Sequence, residues 1–207
     1  SFRVVYRHLF VLAIVTCGCA SGPPAPRVPV DLSSPATAAS TFARAIAAGD
    51  AAGARAASVG SDQEKKSIDI LVSFIDGLRA YDQAMMNHFG PQAIQVHTQV
   101  NQALQDVAEQ PVMDLEQPIV SQTGDRARVQ PALKGQMKLA GRPAVLVRKT
   151  KAGWKVDLAA TAQADPRFSP AVTQAYAQAA QALHQTARQV VAGQFKTVEE
   201  AQEGAGQ

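Results

Sequence analysis

The sequence predicts an α+β fold, with N-terminal helices and a C-terminal helix packed on one face of a three- to five-stranded antiparallel sheet. Three observations carry this expectation. Apolar residues recur at helical steps from Pro35 to Glu109, the pattern alternates after Pro118, and helical spacing returns behind Ser169. With 207 residues, 46% hydrophobic and 18% charged, the chain has material for one ordinary core rather than two independent domains.

The elements follow in order. Ser34 before Pro35 is an N-cap with proline at the first helical position, and Phe42, Ala45 and Ile46 give one apolar face up to the Gly49-Asp50 stop. A short Ala-rich helix is expected to reach Ala57. Ser61 and Glu64 form a capping-box pattern ahead of Ile68, Leu71, Ile75, Leu78, Met85 and Phe89, which predict a long helix ending at Gly90-Pro91. A further helix is expected over 91–109 through Ala93, Val96, Val100, Leu104 and Val107, with Pro111 preventing its continuation. Strands are then expected at 119–122, 126–129, 137–139, 144–149 and 154–158, turned by Gly124-Asp125, Ala140-Gly141 and Ala152-Gly153. Their alternation puts Ala127, Val129, Val145, Val147, Trp154, Val156 and Leu158 on a buried face. Arg126, Arg128, Lys138 and Lys155 fall on the opposite one. Ser169-Pro170 opens a helix through Tyr176, Leu183 and Val190, and Thr197 with Glu200 caps a short last one. The domain therefore spans 35–203, ahead of a flexible tail at 204–207.

The N-terminus reads as an export signal over residues 1–20. Arg3, Arg7 and His8 precede an apolar run from Leu9 to Val15, and small residues follow. That run is far short of the roughly 20 apolar residues of a membrane-spanning helix. Cys17 and Cys19, the only cysteines in the chain, sit at its end. This arrangement resembles the lipobox of bacterial lipoproteins, and the resemblance implies acylation of Cys19, which follows Gly18, with Cys17 as the alternative. Ordinary cleavage after Ala20 would instead give a secreted, soluble protein. Residues 21–34 hold four of the prolines (23, 24, 26 and 29) and read as a linker. With no cysteine beyond position 19, the folded part has no thiol nucleophile, no cysteine zinc site and no disulfide.

The Ala48-Gly49-Asp50 helix end, the Gly124-Asp125 hairpin and the closing Gly153-Trp154-Lys155-Val156-Asp157-Leu158 strand resemble exported bacterial proteins with the nuclear transport factor 2-like, cystatin-like cone fold. The tail Gly193-x-Phe195-x-Thr197-x-Glu199-Glu200-Ala201 resembles that of a set of bacterial exported proteins of uncharacterised function. The resemblance implies a cone-fold domain. It also implies either a pocket for a small molecule with isomerase- or dehydratase-like chemistry or no chemistry at all. Two long helices before the first strand and a helix after Ser169 depart from the cone pattern, so no catalytic residue is carried over.

For acid–base chemistry in a pocket, the candidates are Tyr81, Asp82 and His88. Asp82 falls in the apolar seam of the long helix, and Tyr81 and His88 lie on the neighbouring stripe. None of the four histidines has another histidine or a carboxylate at ligand spacing, and no phosphate loop, nucleophile elbow or His-Glu-x-x-His occurs. No metal and no cofactor is expected. Charge is unevenly placed: 11 acidic and 5 basic residues lie between Asp31 and Pro118, against 9 basic and 2 acidic between Ile119 and Asp157. The basic sheet face, with Arg126, Arg128, Lys138 and Lys155 and the hairpin residues Arg148, Lys149 and Lys151, is a candidate contact for anionic lipid, polymer or an acidic partner. Otherwise it is a solvated face whose cations block edge pairing. Nucleic acid is disfavoured, since only 5% of residues are aromatic. The expectation is a membrane-tethered, extracytoplasmic protein with a non-enzymatic binding or scaffolding role, its partner an envelope protein or anionic polymer.

Overall fold

A computed structural model describes residues 27–131, 144–164 and 169–205. The signal segment with Cys17 and Cys19, the start of the linker, the strand at 137–139 with its Ala140-Gly141 turn, Lys138, and residues 206 and 207 lie outside the described residues.

Helix α1 (Pro35–Ala48) starts at Ser34, whose side chain accepts from the Thr37 N–H while the Thr37 hydroxyl reaches back to the Ser34 N–H. A short helix α2 (Ala51–Ala56) and a two-residue strand β1 (Ser58–Val59) lead to α3 (Asp62–Phe89), whose capping box joins Ser61 and Glu64. After a single 3-10 turn, α4 (Ile94–Leu104) runs into a π-helical turn at Gln105–Glu109 and on into α5 (Gln110–Asp114). Pro111 therefore does not end the helix, contrary to the sequence reading. Proline lacks an N–H and crowds the carbonyl one turn back, and the wider π turn just before it relieves both demands without breaking the rod.

Strands β2 (Pro118–Thr123), β3 (Arg126–Pro131), β4 (Val145–Thr150) and β5 (Gly153–Asp157) form an antiparallel meander. The sheet order is β1-β5-β4-β3-β2, and β1 pairs parallel to β5, so the sheet is mixed rather than purely antiparallel. Two residues are too few to register as a period, which is why β1 escapes a sequence reading. Leu158 does not finish the last strand. It opens α6 (Leu158–Ala164), capped by the Asp157 carboxylate, which accepts from the Ala160 N–H at 3.2 Å. The chain closes with α7 (Pro170–Val191) and α8 (Val198–Ala205), so the helix runs past the expected start of the tail.

The apolar side of the sheet, with Ala127, Val129, Val147, Trp154 and Val156, packs on Phe42 and Ile46 of α1 and on Ile68, Val72 and Ile75 of α3. A second core joins the other half of α3, at Leu78, Tyr81 and Met85, to Val96 and Val100 of α4, Leu183 and Val190 of α7, and Val198 of α8. Each fully buried aliphatic side chain contributes about 1.5–3 kcal/mol. The C-terminal helix thus packs mainly on α3, one layer removed from the sheet. Its close approach falls at Gly77, where a Cβ would lie 3.3 Å from Leu183 Cβ and 3.4 Å from the Ala180 carbonyl oxygen.

The end of the proline-rich segment is part of the domain. The Val28 N–H donates to Asp50 Oδ2 at 3.0 Å, Asp31 and Thr41 bond to each other, and the Trp154 N–H donates to the Leu32 carbonyl at 2.9 Å. This strap and β1 together cover the outer edge of β5.

Gly77→Leu is expected to lower stability by about 1–3 kcal/mol through overpacking at the α3–α7 crossing, measured by chemical denaturation. Gly153 has φ of +109°, and a Cβ there would stand 2.6 Å from the Leu32 carbonyl oxygen. Gly153→Ala should therefore detach the strap and speed hydrogen exchange at the Trp154 amide; unchanged exchange would contradict this contact.

Candidate functional site

The site follows from the two-residue period of the sheet. Because Ala127, Val129 and Val147 point into the core, Arg126, Arg128 and Arg148 point to the opposite face. Register does the rest. Arg126 lies directly opposite Arg148, and Arg148 directly opposite Lys155, so three cations stand in a row across β3, β4 and β5. The Lys149 N–H bonds to the Asp125 carbonyl at 2.7 Å. The adjacent Arg126/Arg148 pair is therefore a non-hydrogen-bonded pair, the kind in which facing side chains come closest. Like charges placed directly opposite destabilise a sheet.

A groove of about 410 Å³ runs over this face. It is lined by Arg126, Arg128 and Arg148, by Ser121 and Thr123 of β2, and by Asp157 at the start of α6. Among the described residues, three guanidinium groups against one carboxylate leave a net charge of +2 in the lining. Asp157 serves two partners: Oδ1 caps α6, and Oδ2 stands 3.4 Å from Arg148 Nε. That Nε is buried, yet among the described residues it makes no hydrogen bond. Thr161 anchors the helical wall of the groove by accepting from the Leu146 N–H and donating to the Leu146 carbonyl.

These cations are not edge guards. Among the described residues β2 is an edge strand of the sheet, and its sequence from Pro118 to Thr123 carries no charge and leaves Ile119 and Val120 exposed. The arginines sit on interior strands, where no pairing needs to be blocked.

No family model, curated protein or solved structure matches the chain. The described lining of the groove is rich in charged donors, three guanidinium groups, and poor in charged acceptors, one carboxylate.

The pocket candidates do not converge. Tyr81 is buried in the second core, where burial raises its pKa. Asp82 faces α4, where the His97 Nδ1–H donates to both carboxylate oxygens at 2.9 and 3.0 Å, and Asn101 Nδ2 donates to His97 Nε2 at 2.9 Å. His88 is exposed, edge-on to Phe89. Both imidazole nitrogens of His97 are thus engaged, and the Asp82–His97–Asn101 chain ties α3 to α4. Sequence reading passed over His97 because its partner lies across a helical hairpin, 15 residues away. None of Tyr81, Asp82 and His88 lines the groove.

Nor do they line the internal cavity of about 80 Å³ between α1 and the sheet. That cavity is walled by Phe42, Ile46, Val107, Pro111, Val145 and Tyr176 among others, and its described lining has no carboxylate, imidazole, amine or thiol. Of the expected anionic contacts, Arg126 and Arg128 line the groove, Lys155 stands beside it, and Lys138 lies outside the described residues. Arg148 and Asp157 complete the constellation, and only strand register brings them there.

If the cation row is held against its own repulsion, Arg126→Gln should stabilise the free protein by up to about 1 kcal/mol at low ionic strength. The gain should shrink as salt screens the charges. Thermal melts of both proteins across a salt series test this, and a salt-independent loss of stability would count against it.

Proposed function

We propose that this protein is a membrane-tethered, extracytoplasmic binding module, without enzymatic activity, that holds an anionic component of the cell envelope against the outer face of its sheet. The observation that carries the reading is the groove whose described lining has a net charge of +2, assembled on interior strands in a register that disfavours the sheet. Stability gives no reason to place Arg126, Arg148 and Lys155 side by side, whereas an anionic partner does. The tether is an acyl group on Cys19, or on Cys17, reached through the proline-rich residues before Val28. The competing arrangement is a secreted soluble protein carrying the same groove.

The other reading, a small-molecule-binding or isomerase-like cone domain, has less support. Its general base would have to come from Asp82 or His88, and the first is held by His97 while the second is exposed. The apolar cavity supplies no base in their place.

To test the groove separately from the anchor, the full chain is prepared with Cys17→Ser and Cys19→Ser. It should co-sediment with vesicles containing phosphatidylglycerol and not with phosphatidylcholine alone. Adding Arg126→Glu and Arg128→Glu should abolish the difference, and equal sedimentation of both versions would contradict the proposal. For the tether, mass spectrometry of the mature protein is expected to find an acylated Cys19; a free Ser21 terminus would refute it.

A further inference from the structure

We propose that the groove is a phosphate-monoester site in which Asp157 is a resident counter-ion, displaced from Arg148 when phosphate oxygens arrive. This rests on the anion-binding reading above and narrows it to a ligand class.

Charge balance is the first ground. The described residues of the lining carry +2. A phosphate monoester near neutral pH carries about −1.5 to −2, while a single carboxylate offsets only half of the excess. Geometry is the second. Arg126 and Arg148 face each other in the closest type of cross-strand pair, and both line the groove. A carboxylate has two oxygens and satisfies one fork, whereas a monoester presents three oxygens and can serve both. Hydroxyl donors stand in the same lining: Thr123 lies opposite Arg126, and Ser121 opposite Arg128.

The state of Arg148 is the third ground. Its Nε is withdrawn from water, yet Asp157, its one carboxylate neighbour among the described residues, stands at 3.4 Å and forms no hydrogen bond with it. A buried donor left unmade is costly, so a ligand oxygen at that place gains more than it would at a solvated arginine. Asp157 is free to yield because its other oxygen is already used to cap α6. Loss of the Arg148 contact leaves that cap intact, and the wall of the groove stays in place through Thr161. No covalent step is involved; the exchange is one counter-ion for another.

The test is calorimetric titration of the full chain carrying Cys17→Ser and Cys19→Ser. The probes are inorganic phosphate, acetate, and vesicles bearing either phosphatidic acid, a monoester headgroup, or phosphatidylglycerol, a diester. Phosphate should bind at least about tenfold more tightly than acetate, and Arg148→Gln should lose about tenfold or more of that affinity. Asp157→Asn retains the acceptor that caps α6 and removes the competing charge, so it should bind phosphate more tightly than the parent. Arg126→Gln, at an exposed position of β3 that takes no part in capping α6, provides a second loss-of-binding variant should Asp157→Asn melt early. Preference for phosphatidic acid over phosphatidylglycerol supports a lipid source, and binding of phosphate without either vesicle supports a soluble monoester.

Two results would overturn the inference: equal affinity for phosphate and acetate, or unchanged or weaker phosphate binding by a folded Asp157→Asn protein. If anionic vesicles still bind in that case, the broader anion-binding reading survives. If no anion binds, both fall.

Discussion

Helix α3 is the member on which the rest of the structure depends. Its 28 residues span about 42 Å, longer than one small core needs, and its two halves serve different cores. The first half, through Ile68, Val72 and Ile75, closes the core beneath the sheet; the second, through Leu78, Tyr81 and Met85, gathers α4, α7 and α8. Gly77 sits where the two meet and lets α7 lie close. Because α3 already provides a surface for the C-terminal helix, that helix has no need of the sheet. Among the described residues the main helical layers therefore stack on one side, and the opposite face of the sheet carries the charged groove bordered by α6.

That face is where local physics and function diverge. Sheet stability favours opposite charges or apolar pairs across strands, and the strand edges are where unpaired cations have a protective use. Here, among the described residues, the uncharged strand β2 lies at an edge and the cations occupy β3, β4 and β5. Arg148 concentrates the conflict, since it faces like charges on both sides and has an imperfect counter-ion in Asp157. Residues placed against local preference, with no gain visible within the fold, are the places where binding is to be sought.

Much of this was legible in the sequence, for physical reasons. Capping residues Ser34, Ser61 and Ser169 fix helix starts locally, and the alternation around Ala127 and Val129 identifies which side of the sheet carries Arg126 and Arg128. What escaped depends on non-local geometry or on very short elements. Pro111 reads as a stop until a π turn accommodates it, and β1 is too brief to show a period. Asp157 followed by an Ala-rich run was an available N-cap signal for α6, masked by the apparent continuation of the strand into Leu158. The opposition of Arg126 and Arg148 could not be read at all, because register across a long connection is set by packing rather than by the residues in the connection. The Asp82–His97 pair is hidden in the same way, by the docking of α4 on α3.

The account as a whole turns on where an anion settles. Backbone amide shifts followed by NMR during titration with phosphate locate it residue by residue. The predicted result is a set of saturable shifts confined to residues 121–128, 146–148 and 155–160, the strands and helix start that frame the groove. Shifts centred on α3 and α4 near His97, or scattered over all basic residues without saturation, would contradict the claim that the outer sheet face is the binding site.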